Sequence, residues 1–346
     1  MTLLDLIRDE ITRLGPMPFE RFMELALYDD AGGYFGSGRL KSEKSGDFLT
    51  SPEVSSLFGE TLAVYVEREM ARVGEPFSVV EVGAGSGSLL RPLLQSVEVP
   101  ATAVEASPAA RAALARSLPG VSVGERLPDS IRGVLIANEL IDNFPMALAQ
   151  RSGAVWRERR VGVDDAGLVF VDAEPRPEVD SWLSRFAGAV PEGGWVEVQL
   201  AAAAWVARVV DILEAGSVVI IDYGDSAEGL LPRRADGTLR TYRAHHLGPH
   251  PLNEPGETDI TADVNFSALA VIAEEHGARV DLMRQDDFLA DLGLRDRLSQ
   301  LRESALAAAR SGDIMGQLRI KSACTEAETL LHPRGLGDFR VLVASY

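Results

Sequence analysis

The sequence predicts an α/β fold organised around a mostly parallel, doubly wound sheet. Two observations carry that expectation. From residue 78 onwards, apolar runs of strand length alternate with stretches whose apolar residues recur at helical spacing. The first of these runs, in "SVVEVGAGSGSLL" at 78–90, passes directly into a glycine-rich turn and then into a second apolar run. Sheets of this kind bind ligands at the carboxyl ends of their strands. The chain has 346 residues, 46% hydrophobic and 25% charged, enough for one large domain or two ordinary ones with a sizeable core.

Taken in order, residues 2–14 and 19–28 read as helices flanking "GPMP". Residues 32–52, rich in Gly, Ser and Lys, read as a long loop, and a loop of that length is usually functional or disordered. Helix 53–73 follows, with Ser51 as its cap and Pro52 at its first position. Strand 78–83, helix 87–96, strand 101–105, helix 107–117 and strands 121–124 and 133–138 form the alternating core. A hairpin around "DDAG" occupies 154–172, followed by a helix near 178–187, a strand near 194–199, helix 201–214 and strand 217–222. A long polar segment, 224–262, separates these from helix 264–276 and strand 278–283, then two helices within 294–330 and a strand at 338–345. The sequence contains no internal repeat.

A formal net charge of −18 argues against general nucleic-acid binding and is compatible with a cationic partner or simply with a soluble surface. The single cysteine, Cys324, excludes an intramolecular disulfide framework and a cysteine-based zinc site. It fits a reducing cytoplasm, the expected location. The first 15 residues carry acids among their apolar positions and read as an amphipathic helix, not a signal peptide. No stretch approaches the roughly 18 apolar residues of a membrane span, so no membrane insertion is expected.

In "GAGSG", Gly83, Gly85 and Gly87 keep side chains off the turn, and backbone amides there open a helix N-terminus. A dinucleotide fingerprint would carry its third small residue at 88, where Ser88 stands, and a P-loop would need a Gly-Lys-Ser/Thr ending, which is absent. G-x-G-x-G after an acidic strand, with Glu81 just before it, is the spacing that S-adenosylmethionine (SAM) sites prefer. A tight strand–helix turn without a ligand is the alternative. Glu105 ends the second strand and could accept both ribose hydroxyls of a nucleoside, a role shared by dinucleotide and SAM sites, or be an exposed strand-end acid. Glu125 lies where the adenine would rest, or is an ordinary surface acid.

"VLIANELIDNFP", 134–145, ends an apolar strand in Asn138 and Glu139, with Asp142 close behind. Such a polar cluster at a strand end is costly without partners. It either caps a helix or holds a cationic or polar nucleophile.

These segments resemble the MidA-like SAM-dependent methyltransferases, bacterial and mitochondrial proteins that include a complex I assembly factor methylating an arginine of a respiratory-chain subunit. "GPMPFERFMELALYDDAGGYF" (15–35), "SGDFLTSPEVSSLFGE" (45–60), "EVGAGSGSLL", "NELIDNFP", "IDYG" (221–224), the stretch from 237 to 269 and "LLHPRGLGDFRVL" (330–342) carry the likeness. The family often reads "EFGAG" or "EIGAG" at the loop and "NEFFDALP" or "NEVLDAMP" after it; Asn138, Glu139, Asp142 and Pro145 keep their places. The resemblance implies a Rossmann-like class I SAM-methyltransferase sheet with an antiparallel C-terminal strand, an N-terminal helical extension and an insertion. Residues 1–75 would then be the extension and a cofactor-covering loop, and 76–346 the core, with substrate-side insertions at about 146–200 and 224–263. The loop around Gly46, Asp47 and Phe48 would fold over SAM, with Thr50, Ser51 and Glu53 near it.

The activity so implied is methylation of an arginine on a partner protein, with a small-molecule methyltransferase and a SAM-binding assembly factor as alternatives. A guanidinium is fully protonated at neutral pH, and carboxylates can fork-bind it. Glu139 and Asp142, with Asn138, are the catalytic candidates, and Glu197, Asp259 and Asp263 the substrate-binding ones. His245, His246 and His250 lie within six residues, but a metal site needs further ligands of defined geometry and methyl transfer needs none, so no metal is expected. The oligomeric state is left open, a homodimer included.

Overall fold

The computed structural model describes residues 2–30, 32–36, 50–243 and 246–346. They fall into two units that alternate along the chain. Residues 49–139, 210–223 and 277–346 form a sheet unit, and residues 1–48, 140–209 and 224–276 a second unit. These bounds differ from a division at 75/76. The N-terminal helices Leu3–Leu14 and Phe19–Tyr28 bury Ile7, Phe19, Phe22 and Met23 in one cluster with Met146, Leu148, Val161 and Ile260, so the extension and both insertions share a core.

The sheet unit holds seven strands: β1 (Ser78–Val82), β2 (Ala101–Val104), β3 (Ser122–Gly124), β4 (Ile131–Asn138), β5 (Leu213–Asp222), β6 (Arg279–Arg284) and β7 (Arg340–Ser345). Their order across the sheet is β6-β7-β5-β4-β1-β2-β3. β3, β2, β1, β4 and β5 run parallel, and β7 lies antiparallel between β5 and β6. Gly133 to Ala137 of β4 are consecutively buried, as expected of a central parallel strand covered on both faces. Val79, Val134, Ile136, Val219, Ile221 and Val341 pack in one cluster with Phe58, Leu62 and Val66 of the helix Ser56–Val73.

The register fixes where polar strand ends meet. Val82 of β1 pairs with Ala137 of β4, and Asn138 pairs with Ile221 of β5. The carboxyl ends of β1, β4 and β5 therefore form one edge, and this edge carries the glycine turn, Glu139 and Asp222.

Several elements depart from the sequence-based reading. The helix expected at 53–73 is two helices, Ser51–Val54 and Ser56–Val73, because Ser55 is extended and its hydroxyl accepts the Leu57 N–H at 3.1 Å. Thr50, not Ser51, is the cap, and Glu53 reaches back to its amide at 3.4 Å. The helix after the glycine turn starts at Leu90, three residues beyond Gly87.

The second unit contains a four-stranded antiparallel sheet in the order Gly167–Ala173, Val155–Asp164, Ala147–Ser152, Trp195–Val198. The expected "DDAG" hairpin is there, and Ala147–Ser152 is an additional strand. The polar segment after 224 forms a small sheet of His246–Leu247, Arg240–Arg243 and Asp259–Thr261.

Candidate functional site

The glycine turn closes on itself. Gly83, Gly85 and Gly87 all have left-handed φ values, 73°, 50° and 76°, which glycine adopts without a steric cost. Their amides are directed inward: Gly83 N–H donates to Val104 O (2.8 Å), Gly85 N–H to Glu105 Oε2 (2.9 Å) and Gly87 N–H to Ala84 O (2.8 Å). The glycines therefore shape the turn and are not themselves open donors. A Cβ on Gly87 would come within 2.9 Å of Leu118 and 3.0 Å of Leu114, so this turn also seats the helix Pro108–Ser117.

Glu105 organises the neighbouring strand end. Oε2 takes the Gly85 amide, Oε1 takes the Ser107 amide at 2.8 Å, and Arg111 binds the Glu105 carbonyl at 2.7 Å. A carboxylate offers about four acceptor positions, so two bonds leave it able to receive ribose hydroxyls. Glu125 lies outside this arrangement. Its side chain is 67% exposed and pairs with Arg111 at 3.5 Å, a surface ion pair.

Glu81 is the unusual acid of the loop. It is 4% exposed, and its Oε2 is buried without a hydrogen-bond partner among the described residues. Burial, with a smaller contribution from the nearby Glu105, pushes its carboxyl up to about 8. A buried acid beside the glycine turn with an unsatisfied oxygen fits a cationic group of a ligand, and SAM carries two.

Asn138 and Glu139 come together at the end of β4. Glu139 has φ 48°, a left-handed conformation costing a non-glycine residue roughly 1–2 kcal/mol. Its amide donates to Ile221 O at 2.8 Å, which carries the β4–β5 ladder one residue past Asn138. Its carboxylate Oε1 receives two donors, Asn138 Nδ2 at 3.2 Å and the Ser51 N–H at 3.1 Å. Strain at a strand's carboxyl end, stabilised by directed hydrogen bonds, is a mark of functional sites. Thr50 and Glu53 flank Ser51 through their own cap contact.

Asp142 belongs to the second unit. It is 3% exposed, accepts the Thr261 hydroxyl at 2.6 Å, and its carbonyl accepts the Ala262 amide at 3.2 Å. Asn143 next to it donates to Asp259 Oδ1 at 2.8 Å and to the Ile260 carbonyl at 3.1 Å. The turn 141–143 and the strand Asp259–Thr261 are thereby tied together.

Glu197 departs from its expected substrate-side place. It is 2% exposed, with Oε2 held by Arg234 at 2.5 Å and Oε1 by the Thr238 amide at 2.6 Å, and Arg234 is itself 1% exposed. This is a buried structural ion pair with both oxygens engaged. Asp263 pairs with Arg233, its carboxyl raised above the usual range by burial. His250 packs edge-on against Phe170 (5.4 Å) and burial lowers its pKa, whereas His246 is exposed. Among the described residues no cluster of His, Cys, Asp and Glu could hold a metal. Gly46, Asp47, Phe48 and His245 lie outside the described residues.

Known proteins resemble this chain in sequence and fold. The family described as S-adenosyl-L-methionine-dependent methyltransferases matches residues 61–283. The mitochondrial protein arginine methyltransferase NDUFAF7 of Xenopus tropicalis is 29% identical over 339 residues, covering 86% of this chain and 76% of that protein. Its homologue in Drosophila melanogaster is 29% identical over 314 residues, covering 78% and 70%. A protein from Burkholderia thailandensis, solved bound to S-adenosyl-homocysteine, superposes with a TM-score of 0.88 at 32% identity, covering 99% of this chain and 92% of that one.

The curated relatives correct one expectation. They are named mitochondrial, which overturns the cytoplasmic location inferred from cysteine usage. One buried thiol is compatible with any reducing compartment and does not choose among them. The sheet order with its antiparallel β7, the glycine turn and these likenesses agree: the chain belongs to the MidA-like S-adenosylmethionine-dependent methyltransferases and is a SAM-dependent methyltransferase.

Proposed function

We propose that this enzyme methylates an arginine of a partner protein, with Glu139 as the group that binds the guanidinium. The observation that carries the reading is the anchored carboxylate of Glu139, strained in backbone and fixed by Asn138 and Ser51 on the sheet edge that bears the glycine turn. The naming of the frog and fly relatives as protein arginine methyltransferases supports the same substrate class.

SAM, when bound, supplies a methyl group on a positively charged sulfur. The glycine turn 83–87 and Glu105 would hold its nucleoside, and Glu81 its cationic end. Glu139 presents a carboxylate anchored on Oε1, so a guanidinium meets a preset acceptor geometry and gains orientation at little entropic cost. A charge-assisted hydrogen bond between the guanidinium and this carboxylate draws positive charge away from the nitrogen that attacks, and the proton that nitrogen loses passes to solvent. Asp142 serves differently in this reading. It fixes the strand Asp259–Thr261 through Thr261, so Asp259 and Asp263 flank a substrate-side element it holds in place.

The test uses the purified chain with SAM and an acetylated Gly-Gly-Arg-Gly-Gly amide, beside the lysine analogue. Mass spectrometry should find a methyl group on the arginine peptide alone, and Glu139→Gln should lower the rate by about 100-fold, the scale of removing one electrostatic contact to a transition state. Transfer to a small amine in preference to arginine, or full activity in Glu139→Gln, would overturn the reading.

A further inference from the structure

Gln285 is fully buried and opens the helix Gln285–Asp291. Its main-chain N–H donates to Phe339 O at 2.8 Å, and its side-chain Nε2 donates to Leu336 O at 3.0 Å. The backbone entering β7 thus holds this residue at both ends. A carbonyl can only accept, which fixes the amide's orientation with Nε2 toward Leu336. The same nitrogen reaches Ser51 Oγ at 3.3 Å. Ser51 is also fully buried, and its N–H is the donor to Glu139 Oε1.

That amide is the first of a helix, and such amides have no partner within the helix. Glu139 supplies the partner. A continuous chain of bonds therefore runs from the β7 entry through Gln285 and Ser51 to Glu139, wholly inside the sheet unit. Gln285 also carries a burden: its Oε1 is buried with no hydrogen-bond partner among the described residues. A residue needed only to fill space would be better served by an apolar side chain, because an unsatisfied buried acceptor is destabilising. What glutamine supplies there is a donor that ties the Leu336 carbonyl and the Ser51 hydroxyl to one nitrogen.

We propose that Gln285 is a positioning residue for methyl transfer: it fixes Ser51, whose amide aims the Glu139 carboxylate. The proposal rests on Glu139 being the guanidinium-binding group. It predicts that the two residues act as one unit, although 285 and 139 lie on different strands' connections and Gln285 is fully buried.

The variant Gln285→Met removes both side-chain bonds at similar volume, and two readouts separate the proposal from the reading beneath it. Hydrogen exchange at the Ser51 amide needs no substrate. It should quicken at least about tenfold in Gln285→Met and also in Glu139→Ala, as expected when a local opening loses its protecting bond. Unchanged exchange in Gln285→Met overturns the relay, whatever Glu139 does chemically.

The second readout is methylation of the acetylated arginine pentapeptide. Gln285→Met should lower kcat about tenfold, the scale of a slight misplacement, with S-adenosylhomocysteine affinity kept within about twofold. That loss should disappear in a Glu139→Gln background, the non-additivity of residues acting through one group. An equal loss in that background overturns the relay. Wild-type turnover by Glu139→Gln overturns the reading of Glu139, and the exchange experiment still judges the relay. Should Gln285→Met fail to fold, Ser51→Ala keeps the amide while removing the hydroxyl that Gln285 holds, and the same two results are expected.

Discussion

Glu81, proposed above to meet the cationic end of SAM, places a cost on the fold. Its carboxyl titrates near 8 when folded against an ordinary value of 4.5, chiefly from burial. The folded state then holds a proton that the unfolded chain releases, so stability is lost as pH rises from about 4.5 to about 8. Glu81→Gln removes that penalty. Its melting temperature should exceed the wild type's by at least about 5 °C at pH 8, with the gap closing toward pH 5, while S-adenosylhomocysteine binds more weakly. Calorimetry in buffers of different ionisation enthalpy should also record proton release when the ligand binds the wild type at pH 7. Glu105→Ala should weaken the same ligand by about 10- to 100-fold, since it removes both the proposed ribose acceptor and the bond that shapes Gly85. The acids of the loop and of β4 were legible as residue types at strand ends. What each acid touches was not: Glu197 and Glu125 carry the same chemistry, yet one is buried against Arg234 and the other pairs with Arg111 at the surface. Gln285 gave no signal at all, because a lone glutamine far along the chain has no spacing that links it to Glu139.

Strands and helices with a single clear period were read well. β1, β2, β4 and the helices 3–14 and 19–28 sit within a residue or two of their expected bounds, because apolar periodicity reports directly on a buried face. The failures share a cause. Arg240–Arg243 and Asp259–Thr261 are short and polar, and their pairing is set by contacts distant in sequence, so no local pattern marks them. Ser55 broke a helix that propensity alone would have continued, since its hydroxyl offers the next turn a better cap. Two substitutions test the elements. Gly87→Ala forces a left-handed φ on a residue with a Cβ against Leu114 and Leu118, and should cost about 1–3 kcal/mol in urea unfolding and abolish cofactor binding. Arg234→Met strands the buried Glu197 and should destabilise by about 3 kcal/mol, read in the same experiment.

The chain as a whole carries a charge of −18, and arginine is a cation wherever it is presented. Raising salt from low to physiological ionic strength should increase the KM for the arginine pentapeptide several-fold and leave kcat nearly unchanged, because screening weakens long-range attraction more than a bonded contact. The doubly wound sheet was legible from alternation alone. The division into units was not, because it depends on which distant segments share a core, and the N-terminal helices find theirs in the insertions. That interleaving has a consequence for biosynthesis. β7 fills the place between β5 and β6, yet it leaves the ribosome after both. Until residues 340–345 emerge, β5 exposes an unpaired edge rich in valine and isoleucine, and β6 has no neighbour to join. A nascent chain in this state is a natural client for chaperones that shield strand edges, and a stalled or truncated product lacking those six residues should accumulate as aggregate and not as a smaller working enzyme.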